Sequence, residues 1–285
     1  MSRTFYVNGE FVAEENAKVS VLDRGFLFAD GVYEVSTILK GRLIDNTAHM
    51  RRLARSLSEL AMAAPCSDAE ILEAQLKLID VNKLDEGLLY LQVTRGVADR
   101  DFAYPANTKS SLVMFTQAKN LLNSPMAEQG MHIISIPDQR WKRRDIKTVG
   151  LLAPCMGKQA AVDAGVHDAW MLEDGLVTEG TSNNAYIVTK DKKIQTRHLG
   201  HEILSGITRH AVLKFATRAG YTVVEEPFTI EEAREASEAF ITSASTFVMP
   251  VVNIDGVALG DGKPGPVSLE LRKIYIQTAL EYQDL

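Results

Sequence analysis

The chain has 285 residues, 46% hydrophobic and 24% charged, with a formal net charge of −6. That size and composition fit a globular protein of one large or two ordinary domains, able to fold without a disulfide or metal. The acidic balance argues against general nucleic-acid binding, and the two cysteines, Cys66 and Cys155, show neither disulfide nor metal spacing. No apolar run approaches the ~20 residues of a membrane span, and the amino terminus "MSRTFYVNGE" has no signal-peptide core. A soluble cytoplasmic protein is expected.

In chain order, "FYVNGEFV" predicts a hairpin around Asn8-Gly9. "LDRGFLFADG", 22–31, reads as a turn-rich loop, and "YEVSTILKGRLIDN" as two strands around Lys40-Gly41. The spacing of Met50, Leu53, Leu57 and Leu60 predicts a helix, with Arg51, Arg52 and Arg55 off its apolar stripe. "SDAE" at 67–70 is a capping box opening a helix through Leu78. "LLYLQVTR" and "SLVMFTQA" predict strands joined by a loop from Gly96 to Lys109. These elements suggest a small α+β domain over 1–117, then a linker over 118–130.

The remainder, 131–285, reads as a larger domain. It opens with the strand "MHIISI" and a helix around 156–164. A hairpin at Asp174-Gly175 and the strand "NAYIVT" follow. "GITRHAVLKFATRAG" predicts a helix ending at Gly220. "YTVVEE", "EAFITS" and "PVVNIDGVAL" are strands, and a helix from about 267 closes the chain. Short strands interleaved with helices favour α+β over a doubly wound parallel sheet. Neither GxGxxG nor GxxxxGK[ST] occurs.

Five segments could carry chemistry. "DQRWKRRDIKTVGLLAP", 138–154, is a cluster of cations turning apolar after Lys147. By spacing alone Lys147 is a solvated lysine or a desolvated Schiff-base lysine; Arg143 and Arg144 read as surface residues. "LVTEGTSNNAYIV" sets Glu179 before a polar turn. "LSGITRH" puts Ile207 and Thr208 in a helix first turn, where free N–H groups bind phosphate. "FITSASTF" gathers Ser243, Ser245 and Thr246. The loop "QVTRGVADRDFAYPANT" holds Arg95 and Arg100, either of which could clamp a carboxylate.

The order and wording of "DRGFLFADGVYEV", "HMRRL", "YLQVTRG", "RWKRRDIKTVGLL", "VTEGTSNNAY", "GITR" and "FITSAS" resemble the class IV aminotransferases, the fold-type IV pyridoxal-phosphate enzymes. Within them the resemblance is nearest to the D-amino-acid aminotransferases and runs from about residue 5 to 260. It implies an α+β fold of two α/β-type domains with pyridoxal 5'-phosphate (PLP) at their interface, and no metal. It implies a homodimer in which the Arg100 loop serves the neighbouring active site. Lys147 then matches the lysine that binds PLP as an imine, and Glu179 the carboxylate on the pyridine nitrogen. Arg52 matches the phosphate arginine, and Ile207 and Thr208 match phosphate donors. Ser243 and Ser245 flank phosphate and substrate, with Ala244 between them where the family has threonines nearby. Tyr33 matches the tyrosine near the substrate carboxylate, Arg140 an arginine beside the cofactor's phenolic oxygen, and Arg100 the α-carboxylate clamp.

One position departs from the pattern. Phe102 stands where the D-amino-acid enzymes carry a histidine. The implied reaction is transamination between a D-amino acid and a 2-oxo acid, pyruvate or 2-oxoglutarate. Phe102 keeps an (R)-selective amine transaminase as the alternative, ahead of a branched-chain aminotransferase or an aminodeoxychorismate lyase. A non-catalytic cofactor binder is disfavoured by the intact Lys147 and Glu179.

Overall fold

The structure is a computed structural model describing residues 2–285. Contacts divide the chain into two compact units. The first takes the chain up to Asn120, then Ile146–Gly150 and Tyr282–Leu285; the second takes Leu121–Asp145 and Leu151–Glu281.

The first unit begins with the expected hairpin, β1 (Thr4–Val7) and β2 (Glu10–Ala13). Asn8 and Gly9 take the positive φ values, 50° and 103°, that a tight hairpin turn demands. The segment read as a loop instead forms a short helix, α1 (Arg24–Phe28). Asp23 caps it by accepting from Gly25 N at 2.8 Å. Five residues are too few for periodicity to signal a helix.

There follow β3 (Gly31–Leu39), β4 (Arg42–Ile44), α2 (Asn46–Glu59), α3 (Asp68–Val81), β5 (Glu86–Thr94) and β6 (Ser111–Ala118). The capping box of α3 forms as read, Ser67 with Glu70. The six strands make one antiparallel sheet, ordered β2-β1-β6-β5-β3-β4. Leu53, Leu57, Ile71 and Leu78 from α2 and α3 share a core with Val32, Leu89, Leu91 and Met114 from the sheet. Alternation along the strands sends Tyr33, Tyr90, Phe115 and Phe5 to one aromatic row, with centroids 5.6, 4.8 and 5.3 Å apart in turn.

The second unit contains α4 (Pro125–Gln129), β7 (Met131–Pro137), α5 (Leu152–Asp163), β8 (Asp168–Glu173), β9 (Leu176–Gly180), β10 (Asn184–Val188) and β11 (Lys193–Thr196). It continues with α6 (Ile207–Arg218), β12 (Thr222–Glu225), α7 (Ile230–Glu235), β13 (Glu238–Ser243), β14 (Phe247–Ile254), β15 (Val257–Ala258) and α8 (Pro266–Glu281). The sheet runs β12-β11-β10-β13-β14-β7-β8-β9, with β15 on β14. It is mixed: β7 lies parallel to β14 and β8, and β11 parallel to β12. Helix α5 starts earlier than the sequence suggests, and α4, β11 and α7 are additions, α4 lying inside the stretch 118–130 read as a linker. The signal for α7 was present, because Thr229 and Glu232 form a capping box. Trp170, Phe228, Ile241 and Met249 anchor the core. Among the described residues no helix is long and apolar enough to cross a membrane.

Candidate active site

Strand β4 covers only Thr37–Leu39 of β3, so the first half of β3 has an open edge. The segment 147–149 fills it. Tyr33 N donates to Lys147 O at 3.0 Å, and Val149 N to Gly31 O at 3.0 Å. Lys147 is thereby held beside Tyr33, its Nζ 4.1 Å from the ring centroid. Among the described residues of this unit its ammonium has no carboxylate partner.

The strand alternation that presents Tyr33 turns Glu34 the opposite way, toward α2, where it is 1% exposed. Glu34 accepts from Arg52 Nε at 2.8 Å and Nη2 at 2.7 Å, and from His49 Nδ1 at 2.7 Å. His49 and Arg52 are three residues apart on α2, hence on one face. Burial pushes the Glu34 pKa up, but Arg52 and His49 prevail and bring it down to about 2. Glu34 and His49 escaped the sequence reading. The available signal was a lone acid at a buried register of "GVYEVST".

In the second unit Glu179 closes β9 and is 4% exposed. It accepts from Arg140 Nη1 at 2.5 Å, from Asn184 Nδ2 at 2.9 Å and from Leu204 N at 3.2 Å. Burial raises its pKa, against the pull of Arg140. Arg140 also binds Asp138 through Nε at 3.0 Å and Nη2 at 2.7 Å. The structure thus puts Arg140 on Glu179, with Asp138 as its second partner. Asp138 and Asn184 were not singled out in the sequence, where "SNN" passes for an ordinary turn. Asp168 orders that turn by accepting from Thr181 Oγ1 and Asn183 Nδ2, at 2.5 and 2.6 Å.

Asn184 also donates to Leu204 O at 2.9 Å. It pairs with Thr242 on the neighbouring strand. It therefore joins the turn before α6 to the strand that ends in Ser243. Gly206 is the N-cap of α6, without a side-chain cap bond, and a Cβ there would meet Asn184 Oδ1 at 2.1 Å. The first-turn N–H groups of Ile207 and Thr208 receive no side-chain cap, and Thr208 is 3% exposed. Ser243 Oγ lies 3.2 Å from Ser245 Oγ and 2.8 Å from Thr246 Oγ1, in the turn that contains Ala244. Arg272 supports this turn by donating to Thr246 O at 2.7 Å.

Two arginines differ from their sequence reading. Arg144 is 5% exposed, so it is not a surface residue; it pairs with Glu173 and lies 3.6 Å from Asp138. Arg95 is 6% exposed and committed to Asp30, Leu60 O and Ala61 O, so it is not free to clamp a ligand. Arg100 does lie at the surface, and its guanidinium is 5.2 Å from the Phe28 ring and 5.4 Å from Phe102.

The class of protein follows from these features and is met by direct comparison. Residues 31–254 match the amino-transferase class IV family, and the chain belongs to it. It is an aminotransferase of the fold-type IV, α+β kind, and its cofactor is PLP. Among its relatives, a D-alanine aminotransferase of Bacillus licheniformis is 41% identical over 96% of this chain and 94% of its own. A D-alanine aminotransferase of Staphylococcus aureus (strain MSSA476) is 37% identical over 94% and 95%. The solved branched-chain aminotransferase of Thermoproteus uzoniensis, with norvaline, superposes with a TM-score of 0.87 at 25% identity, covering 99% and 96%.

The residues present suit PLP. An aldehyde needs an amine without a salt-bridge partner in its unit, as at Lys147. A cationic ring nitrogen needs a buried carboxylate, as at Glu179. A phosphate needs free helix N–H groups, as at the start of α6.

Proposed function

We propose that the chain transaminates D-amino acids with a 2-oxo acid acceptor, pyruvate or 2-oxoglutarate. The observation that carries this reading is the Lys147 amine, 4.1 Å above Tyr33 and without an acidic partner among the described residues of its unit. An amine so placed is not tied up by a carboxylate and can serve as a nucleophile and then as a base. D-alanine aminotransferases matching over 94% and 96% of the chain support the choice of donor.

Bound PLP supplies the electron sink for the carbanion chemistry. Lys147 would hold the cofactor through its amine and would move the proton at the substrate Cα as base and acid. Glu179 keeps the ring nitrogen protonated, and Arg140 and Asn184 hold that carboxylate in place. Ile207 and Thr208 bind the phosphate, with Ser243 and Ser245 beside it. Arg52 serves the phosphate as well, oriented by Glu34. Tyr33 and Arg100 receive the substrate carboxylate, Arg100 acting from the neighbouring subunit of a homodimer, and Phe102 and Ala244 line the substrate's path.

A second reading is favoured by one observation. Phe28 and Phe102 stand 5.5 Å apart beside Arg100, an apolar pair suited to a donor lacking a carboxylate. A donor panel decides: D-alanine, D-glutamate, L-alanine, L-leucine and (R)-1-phenylethylamine, each with pyruvate and with 2-oxoglutarate. D-amino acids should lead. Preference for L-donors would overturn the proposal, and dominant (R)-amine turnover would install the second reading.

A further inference from the structure

We propose that Arg24, with Asp30 and Arg95, is a positioning device that sets the loop carrying Arg100 and Phe102. The inference rests on the reading of Arg100 as the carboxylate clamp. It adds the residues that make that clamp usable.

Arg100 and Phe102 do not hold their own loop. Both are exposed, Phe102 by 78%, and among the described residues the ring and cation–ring contacts of their side chains are with Phe28 and each other. The loop is gripped from below instead. Arg24, 3% exposed at the start of α1, donates through Nη1 to Asp101 O at 2.6 Å and Ala103 O at 3.4 Å. Those carbonyls flank Phe102 on either side. One guanidinium therefore fixes the backbone at the tip, between the residues that face substrate.

Arg24 is itself fixed. Its Nε donates to Asp30 Oδ2 at 2.8 Å, and the same oxygen accepts from Arg95 Nε at 2.7 Å. Arg95 is tied to Leu60 O and Ala61 O at the end of α2, and Tyr104 lies 3.5 Å over its guanidinium. The chain Ala61–Arg95–Asp30–Arg24–Asp101 thus runs from a packed helix to the loop tip. Backbone bonds reinforce it, from Arg24 N to Gly96 O at 2.8 Å and from Arg95 N to Asp30 O at 3.1 Å. Gly25 allows this approach, since a Cβ there would meet Thr94 Cγ2 at 2.3 Å.

A flexible arginine loop would have to be ordered at each turnover, which weakens substrate binding. Anchoring its carbonyls removes that cost without touching the reacting atoms. The readouts follow. Arg24→Lys keeps the charge beside Asp30 but loses the planar fork that joins Asp30, through Nε, to the loop carbonyls, through Nη1. Amide hydrogen exchange at 99–104 should speed up at least about tenfold, the loss of one charged hydrogen bond, while α2 is unchanged. The KM for D-alanine should rise about tenfold or more, with kcat nearly unchanged and PLP affinity unaltered. Tyr104→Leu, at a half-exposed position, should give a smaller change in the same direction and covers the case in which Arg24→Lys does not fold. Unchanged loop exchange in both variants would overturn the anchoring. A KM rise matched by an equal loss of PLP affinity would overturn it too, as general damage. Arg100→Ala is the parallel control. If it leaves D-alanine kinetics untouched, the clamp reading fails, and loop exchange still decides the anchoring.

Discussion

Glu34 grips Arg52 with both carboxylate oxygens, at 2.8 and 2.7 Å, in a site where the acid is 1% exposed. The pair holds a cation on a fixed axis of α2, and the same acid takes His49. Because the folded pKa of Glu34 is lowered to about 2, its stabilisation is complete above the ordinary carboxylate value of 4.5. It is lost as the pH falls from there through about 2, and it amounts to about 3 kcal/mol. Glu34→Gln should lower the Tm at pH 7, and the gap from wild type should close as the solution is acidified. The variant should also retain PLP less well. A pH-independent gap would refute the assignment.

Lys147 should be the residue that borohydride joins to the cofactor, read by peptide mass. Lys147→Ala should lose about 10²–10⁴-fold in turnover, the range for a positioned acid–base group. It should still bind PLP through the phosphate contacts of α6. A label on another lysine would reject the role.

Glu179→Ala removes one of two acids on the buried Arg140 guanidinium. Breaking a buried pair costs about 3–5 kcal/mol, so the Tm should fall with activity. Glu179→Gln can still accept from Asn184 and should fold better, yet should also lose turnover. Near-normal turnover in the glutamine variant would show that the carboxylate charge is not needed.

Arg100→Ala should raise the D-alanine KM sharply and barely alter the rate with (R)-1-phenylethylamine, which has no carboxylate. Phe102→His places a donor beside Arg100 and should shift preference toward D-amino acids, since a site built for a polar group rejects analogues lacking it. Steady-state kinetics on the two donors checks both, and parallel changes on amine and amino acid would contradict the clamp.

Arg144→Ala should destabilise by about 3–5 kcal/mol, because Glu173 and Asp138 would lose a buried partner. Arg143→Ala, one residue away, should cost under about 1 kcal/mol, since its pair with Asp145 is partly exposed. Thermal melts of the two variants test the contrast.

The sequence by itself determined the class of chemistry and most of the elements. Glu179 and the 206–208 helix start sit in short motifs, because a strand end or helix first turn presents a group through local backbone geometry; Lys147 is legible in its motif, yet it is held in place by the backbone bonds of its segment to Tyr33 and Gly31. Hairpin turns and capping boxes were legible for the same reason, being contacts within a few residues. What only the tertiary structure decided is which charges are buried and by whom they are held. Glu34 meets Arg52 18 positions away, Arg140 meets Glu179 39 away, and Arg24 meets Asp101 77 away. Nothing local separates Arg143 from Arg144 in "RWKRR", yet one is partly exposed and the other buried against Glu173. A charged side chain survives burial only with a partner, and partners this distant in sequence are brought to it by strand register and helix packing, which no local pattern encodes.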